Sequence, residues 1–254
     1  MPTSIYPLKW DQSGEKKYEN GVSRGVLYKK ENASSTKMVG YAWNGLTSVT
    51  ESPEGADKTD LWADNIKYAS MRAAETFGGT IEAYTYPPEF ESCNGEASLA
   101  NGIVIGQQTR ETFGLCYRTE QGNDTLGANY GYKLHLVYNC TCSPSERAYE
   151  TINDSPDAIT FSWEFDSTPV EVSGHKPTSC IVIDSTKVSP EDMAKLEAAL
   201  YGTAETDAYL PTPLQIMEIL AGEGDDGDDG EDEGDDGEDE GDDLNGGETN
   251  GGGT

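Results

Sequence analysis

The side chains in this sequence whose types could do chemistry are two histidines, five cysteines and 47 carboxylates. His135 lies in the run KLHLVY and His175 in SGHKP. A general base or a metal ligand needs partners at a fixed spacing or from a recognisable second element. Neither histidine has one, so both read as ordinary strand or turn positions. Cys140-x-Cys142 supplies half of a zinc-type pair, and no second pair at finger spacing follows it. The nucleophile elbow G-x-S-x-G, the phosphate loop GxxxxGK[ST] and the zinc helix HExxH are all absent. Gly78-Gly79 and the stretch Gly102 to Gly106 read as turns and a strand bulge. The carboxylates cannot be sorted into a general acid and a general base. These residues predict no enzyme, no metal and no cofactor.

The carboxylates matter instead as charge. Asp and Glu number 47 against 17 Lys and Arg, a formal net of -30 over 254 residues. Sixteen of the acids fall between Glu223 and Glu248, and no base follows Lys195. Residues 1–222 keep 31 acids and all 17 bases, so the remainder is acidic too. A tightly held nucleic acid or anionic membrane needs Lys and Arg to displace counterions, which excludes both as gripped ligands. DNA kept at a distance is not excluded. The odd count of cysteines and an N-terminus without a basic-then-apolar leader predict reduced thiols in a cytosol. No run approaches the ~18 apolar residues of a membrane span, so a soluble protein is expected.

The elements that must position these groups are mostly strands. From Ile159 to Asp166 the alternation is strict, with Ile159, Phe161, Trp163 and Phe165 on one face and Thr160, Ser162, Glu164 and Asp166 on the other. Such a strand packs on one side and presents acids on the other. Further strands are expected at Gly21–Leu27, within Met38–Thr50 about an Asn44-Gly45 turn, and at Ile66–Met71, Thr80–Tyr86, Ile103–Ile105, Thr112–Arg118, Tyr132–Tyr138 and Ser179–Asp184. Ile81, Ala83 and Thr85 share one face of theirs; Glu82, Tyr84 and Tyr86 share the other. Two stretches read as long loops: Glu51–Asn65, with an isolated Leu61-Trp62 pair, and the Gly/Asn-rich Glu120–Gly131. Strands at this spacing joined by turn-rich loops predict a β-sandwich or barrel.

One or two helices flank it. Glu89–Cys93 makes one helical turn after Pro87-Pro88. Ser189 caps a helix that Pro190 opens, Glu191 and Asp192 favour, and Gly202 stops, with Met193, Leu196 and Leu200 on its apolar side. A shorter helix runs from Thr212 through Leu220 with Leu214, Met217 and Leu220 as its stripe. Beyond Gly222 the repeated DDGEDEG (228–234, 235–241) repels itself and adds glycine entropy, so a disordered acidic tail is expected. The domain reading is 1–202, a 203–222 extension and the 223–254 tail.

Five stretches carry a family likeness: GYAWNGLTSVTESPEGAD (40–57), LWADNIKYASMRAAETFGGTIEAYTYPPEF (61–90), GQQTRETFGLCYRTEQGNDT (106–125), GYKLHLVYNC (131–140) and SPDAITFSWEFDSTPVEV (155–172). In their order and wording they resemble the major tail proteins of long-tailed, non-contractile bacteriophages, over about residues 1–202. The resemblance implies a tail-tube fold, a β-sandwich whose subunits form six-fold rings that stack into a tube around a DNA passage. It implies a virion location after synthesis in a host cytoplasm. The implied partners are copies of the chain and other tail proteins (tape measure, terminator, distal tail), with DNA passing unbound and no membrane. Glu51, Pro53, Leu61, Trp62 and Asp64 are then candidates for a loop that reaches the adjacent ring, and Glu82, Glu164 and Asp166 for acids lining the lumen. A tail terminator or head–tail connector of the same fold stays open as an alternative. So do an acidic cation- or polyanion-binding module in residues 223–243 and a sugar-binding sandwich.

Overall fold

The computed structural model describes residues 8–31, 35, 37–55, 57–152, 154 and 157–221. It is mainly β, as expected, with 49% strand and 12% helix. The acidic tail lies outside the described residues. In chain order the elements are β1 (Lys17–Lys30), β2 (Met38–Trp43), β3 (Leu46–Gly55), β4 (Lys58–Ala63), β5 (Ile66–Arg72), β6 (Glu75–Ala83), α1 (Phe90–Cys93), β7 (Ala97–Ala100) and β8 (Ile103–Ile105). They continue with β9 (Phe113–Asn123), β10 (Gly127–Cys142), β11 (Phe161–Ser167), β12 (Cys180–Asp184), α2 (Pro190–Tyr201) and α3 (Pro213–Ala221).

Eight strands form one sheet in the order β2-β1-β9-β10-β11-β6-β3, with β12 also on β10. The sheet folds over on itself along β10. The first part of that strand pairs β9 and β12, and its last residues, Cys140 to Cys142, pair β11. Between them the register slips, and Asn139 takes φ 46°, a bulge of the kind that turns a strand through a corner. Two leaves result. Leu27, Phe113, Leu115 and Val137 of one meet Ile81, Ala83, Trp163 and Phe165 of the other, with Trp43 and Phe90 at the end of the sandwich. Each large side chain so buried contributes about 1.5–3 kcal/mol. A second core lies on the outside of the β1-β9-β10 leaf, where Tyr28, Leu134 and Leu136 receive Met193, Leu196 and Leu200 of α2 and Ile216 of α3.

Ser189 caps α2 as read: its hydroxyl accepts from the Asp192 N–H at 3.1 Å, and Gly202 ends the helix at φ 77°. The α1 turn and the Asn44-Gly45 turn also stand. That turn, however, joins strands at opposite ends of the sheet path, so it is a corner rather than a hairpin.

Five expectations fail. The Ile159 strand begins at Phe161, because its partner β6 ends opposite at Ala83; Ile159 is exposed. Gly78-Gly79 is no turn but the middle of β6, where a Cβ at 79 would collide with the Thr50 carbonyl oxygen and sit 2.9 Å from the Phe165 ring. On α3, Ile216 packs inward with Ile219 and Leu220 beside it, whereas Leu214 and Met217 face out. Just before the helix, the Pro211 carbonyl accepts the buried Tyr138 hydroxyl at 3.0 Å and ties the chain entering α3 to β10. Neither long loop is a loop. Glu120–Gly131 is the end of the β9–β10 hairpin, held by ladder bonds and by β1 pairing Lys17 to Asn123, with little apolar patterning to announce it. Glu51–Asn65 likewise holds the end of β3, the whole of β4 and the turn at Asp64-Asn65.

Candidate functional site: a two-faced arm and an acidic sheet face

The β3–β6 ladder continues from Leu46↔Ala83 to Gly55↔Glu75. Between those last partners the chain makes a second two-stranded ladder, β4–β5, closed by Asp64 and Asn65, both in the left-handed region at φ 50° and 63°. Residues 58–72 therefore form a hairpin arm, and β4 and β5 pair only with each other.

The arm's register sorts its side chains. Leu61 opposes Ala69, Thr59 opposes Met71 and Ala63 opposes Ile66. β4 alternates, cross-strand partners share a face, and a bulge at Tyr68 between Lys67 and Ala69 shifts the parity of β5. Leu61, Ala63, Ile66, Ala69 and Met71 thus lie on one face and Lys58, Asp60, Trp62, Lys67 and Arg72 on the other. Leu61, Ile66 and Met71 are 42%, 63% and 61% exposed, so this is an uncovered apolar face. On the second face Asp60 is 3.4 Å from Lys58 and 2.9 Å from Lys67, and the Ser70 hydroxyl donates to it at 2.7 Å. The Lys67 and Ser70 bonds, then Lys58, hold the Asp60 carboxyl below its usual range against weak desolvation. The Leu61-Trp62 pair is thus divided between two faces, and Ile66 and Met71, missed in the sequence, are the residues that join Leu61. Their signal was present as an i, i+5 spacing across a turn, which reads as noise until the register is known.

Glu51 and Pro53 belong to β3 rather than to the arm's tip. Glu51 is drawn inward, where it accepts the Tyr117 hydroxyl and lies 3.2 Å from His135 Nδ1. His135 stacks flat on Tyr117 (4.6 Å, 9°), its Nε2 3.0 Å from Thr119 Oγ1 and 3.6 Å from Glu19. Its side chain is only 12% exposed, so the reading of an ordinary surface position is corrected. The His135 bond, opposed by burial and helped by Tyr117, keeps the Glu51 carboxyl below its ordinary 4.5. At Glu19 burial works upward, but the Lys133 and Thr119 bonds win and lower it. The group ties β3, where the arm begins, to β1, β9 and β10. His175 sits in an exposed turn.

Glu82, Glu164 and Asp166 do share a surface. Across the ladder Ser162 opposes Glu82, Glu164 opposes Thr80 and Asp166 opposes Gly78, while Ser48, Thr50 and Ser52 of β3 continue those rows. Among the described residues, α2 and α3 pack on the other leaf, against Tyr28, Leu134 and Leu136. Glu82 accepts the Ser48 hydroxyl at 2.8 Å, and Glu164 and Asp166 are exposed. A shallow groove of about 210 Å³ runs here, with Glu54, Glu164 and Asp166 and neighbouring hydroxyls along it and no Lys or Arg among its lining residues. Cys140 and Cys142 point into the core; burial pushes the Cys142 thiol up to about 12, and all five thiols are free. Among the described residues no helix is long and apolar enough to cross a membrane.

No protein-family model and no curated protein matches the chain. Among solved structures, the sheath/tube terminator of an extracellular contractile injection system in the extended state aligns over 71% of this chain and 99% of that one, at 11% identity and TM-score 0.31. The sheath–tube complex of such a system aligns over 63% and 88%, at 13% identity and TM-score 0.29. Both scores are too low to carry an assignment.

Proposed function

We propose that this chain is a structural tail-tube subunit: copies join into rings, six-fold as the sequence resemblance implies, and the rings stack into a tube through which genomic DNA passes into a host. The arm carries this reading. A hairpin that exposes Leu61, Ile66 and Met71 on one face, in a chain otherwise heavily charged, is built to be covered by another molecule. Two further features support it. At the end of the sheet path β3 pairs β6 alone among the described residues, leaving a second edge that a neighbour's strand would continue, as in a closed barrel. The face bearing Glu82, Glu164 and Asp166 repels phosphate, and no Lys or Arg lines its groove, which suits a bore that must not hold DNA. On this reading the subunit works in the virion tail beside tape-measure, terminator and distal tail proteins, with no chemistry of its own.

Electron microscopy of the concentrated, purified protein tests it. Hollow tubes of uniform width are expected, and the double variant Leu61→Glu/Met71→Glu should give none while melting at the unchanged temperature. Isolated rings without stacking would point to a terminator or connector. Tubes that form normally from the double variant would remove the arm from the account.

A further inference from the structure

The arm needs a receptor, and the structure offers one at the other end of the molecule. β6 leads from the arm at Glu75 to Ala83, beyond which come α1 and the small β7–β8 hairpin. Nine extended residues separate the two ends, about 30 Å at ~3.3 Å per residue. The β7–β8 hairpin turns at Asn101-Gly102, with Gly102 at φ 78°. Leu99, Ile103, Val104 and Ile105 are 68%, 52%, 47% and 38% exposed on it. From Ala97 to Thr109 the sequence holds no charged residue. The base of this module is fixed: Gln108 N–H donates to Gly95 O at 2.9 Å, Glu111 N–H to Ser92 O at 3.2 Å, and Phe90 is fully buried in the sandwich.

Copies of a chain with net charge -30 repel one another over most of their surface. Close approach is least costly where negative charge is missing. Two exposed apolar elements meet that condition. Residues 97–109 are uncharged, and residues 57–72 hold three acids against three bases. Made head to tail, a contact between these two different elements is heterologous and leaves each copy an arm or a hairpin free for the next.

We infer that the β7–β8 hairpin is the surface on which the arm of a second copy docks, with the Leu61–Ile66–Met71 face against Ile103 and Ile105, which share a face of β8. This rests on the tube reading and names the acceptor within it. The test uses the full chain. Ile103→Glu/Ile105→Glu should fold, judged by an unchanged melt, yet leave no tubes. Mixed with Leu61→Glu/Met71→Glu, it should restore a single joint, because one variant keeps its arm and the other its hairpin; sedimentation should then show particles of twice the parental mass. A photo-crosslinking residue at position 103 of one isotopically labelled copy should attach to residues 58–72 of an unlabelled copy. Normal tubes from the hairpin variant, with tubes lost only in the arm variant, would overturn the inference and spare the tube reading. A mixture no larger than its parents, or crosslinks outside 58–72, would overturn it as well. Normal tubes from both variants would remove the arm reading beneath it.

Discussion

At the scale of residues, Glu51 is the instructive case. Its neighbours in sequence suggested a loop, but Tyr117 and His135 hold its carboxylate beneath the root of the arm. Because its folded value lies below the ordinary 4.5, the stability it supplies is present above that pH and disappears as pH falls through the folded value. Glu51→Gln should therefore lower the melting temperature near pH 7 and flatten the acid limb of a melting-temperature profile below about pH 4.5. With a third of the side chain exposed, about 1 kcal/mol is expected after solvent screening, roughly 2–4 °C for a body of this size. An unchanged acid limb would mean the carboxylate is not tied. Gly79 makes a second case. A methyl there meets the Thr50 carbonyl and the Phe165 ring, so Gly79→Ala should cost about 1–3 kcal/mol in a thermal melt, whereas the exposed Gly102 turn would show its cost only through φ. Neither property was visible beforehand, since both depend on which strand lies alongside.

Elements were legible where one turn or one face announces them. Ser189, Pro190 and Gly202 spell out α2, and Trp163 and Phe165 alternate cleanly in β11; local patterning suffices there because the same residues that signal the element also bury it. Ser189→Ala should accordingly lose about 1 kcal/mol, read as a small downward shift of the melt with tubes intact. The arm was illegible for the complementary reason. Its strands pair only with each other among the described residues, so apolar residues sit on an exposed surface that sequence patterning takes for a loop. The division of Leu61 from Trp62 sharpens what each should do. Leu61→Glu/Met71→Glu removes the apolar face and abolishes stacking. Trp62→Ala, on the face that carries Lys58, Lys67 and Arg72, should shorten tubes without abolishing them, a difference that length distributions in micrographs would resolve. Equal loss from both would mean the arm is gripped on both faces.

For the whole molecule the governing quantity is charge. On the proposed function, assembly would bring together copies that each carry -30, and 16 of the acids lie in residues 223–254, which add no base. Coulomb repulsion between them is screened over about 10 Å at 0.1 M salt and about 3 Å at 1 M. The apolar arm contact is far less sensitive to sodium chloride over that range. If repulsion sets the pace, raising salt from about 0.01 M to 0.5 M should shorten the lag before tubes appear, followed by light scattering. Removing residues 223–254 should give much of the same acceleration at low salt, because the remaining 31 acids and 17 bases leave a far smaller imbalance. The truncated chain should then respond weakly to added salt. The two manipulations act on one term, so their effects should not add. A truncated chain that assembles no faster at low salt, or keeps the full salt response, would assign the pace of assembly to the body's own acids, with Glu82, Glu164 and Asp166 brought face to face as the ring closes.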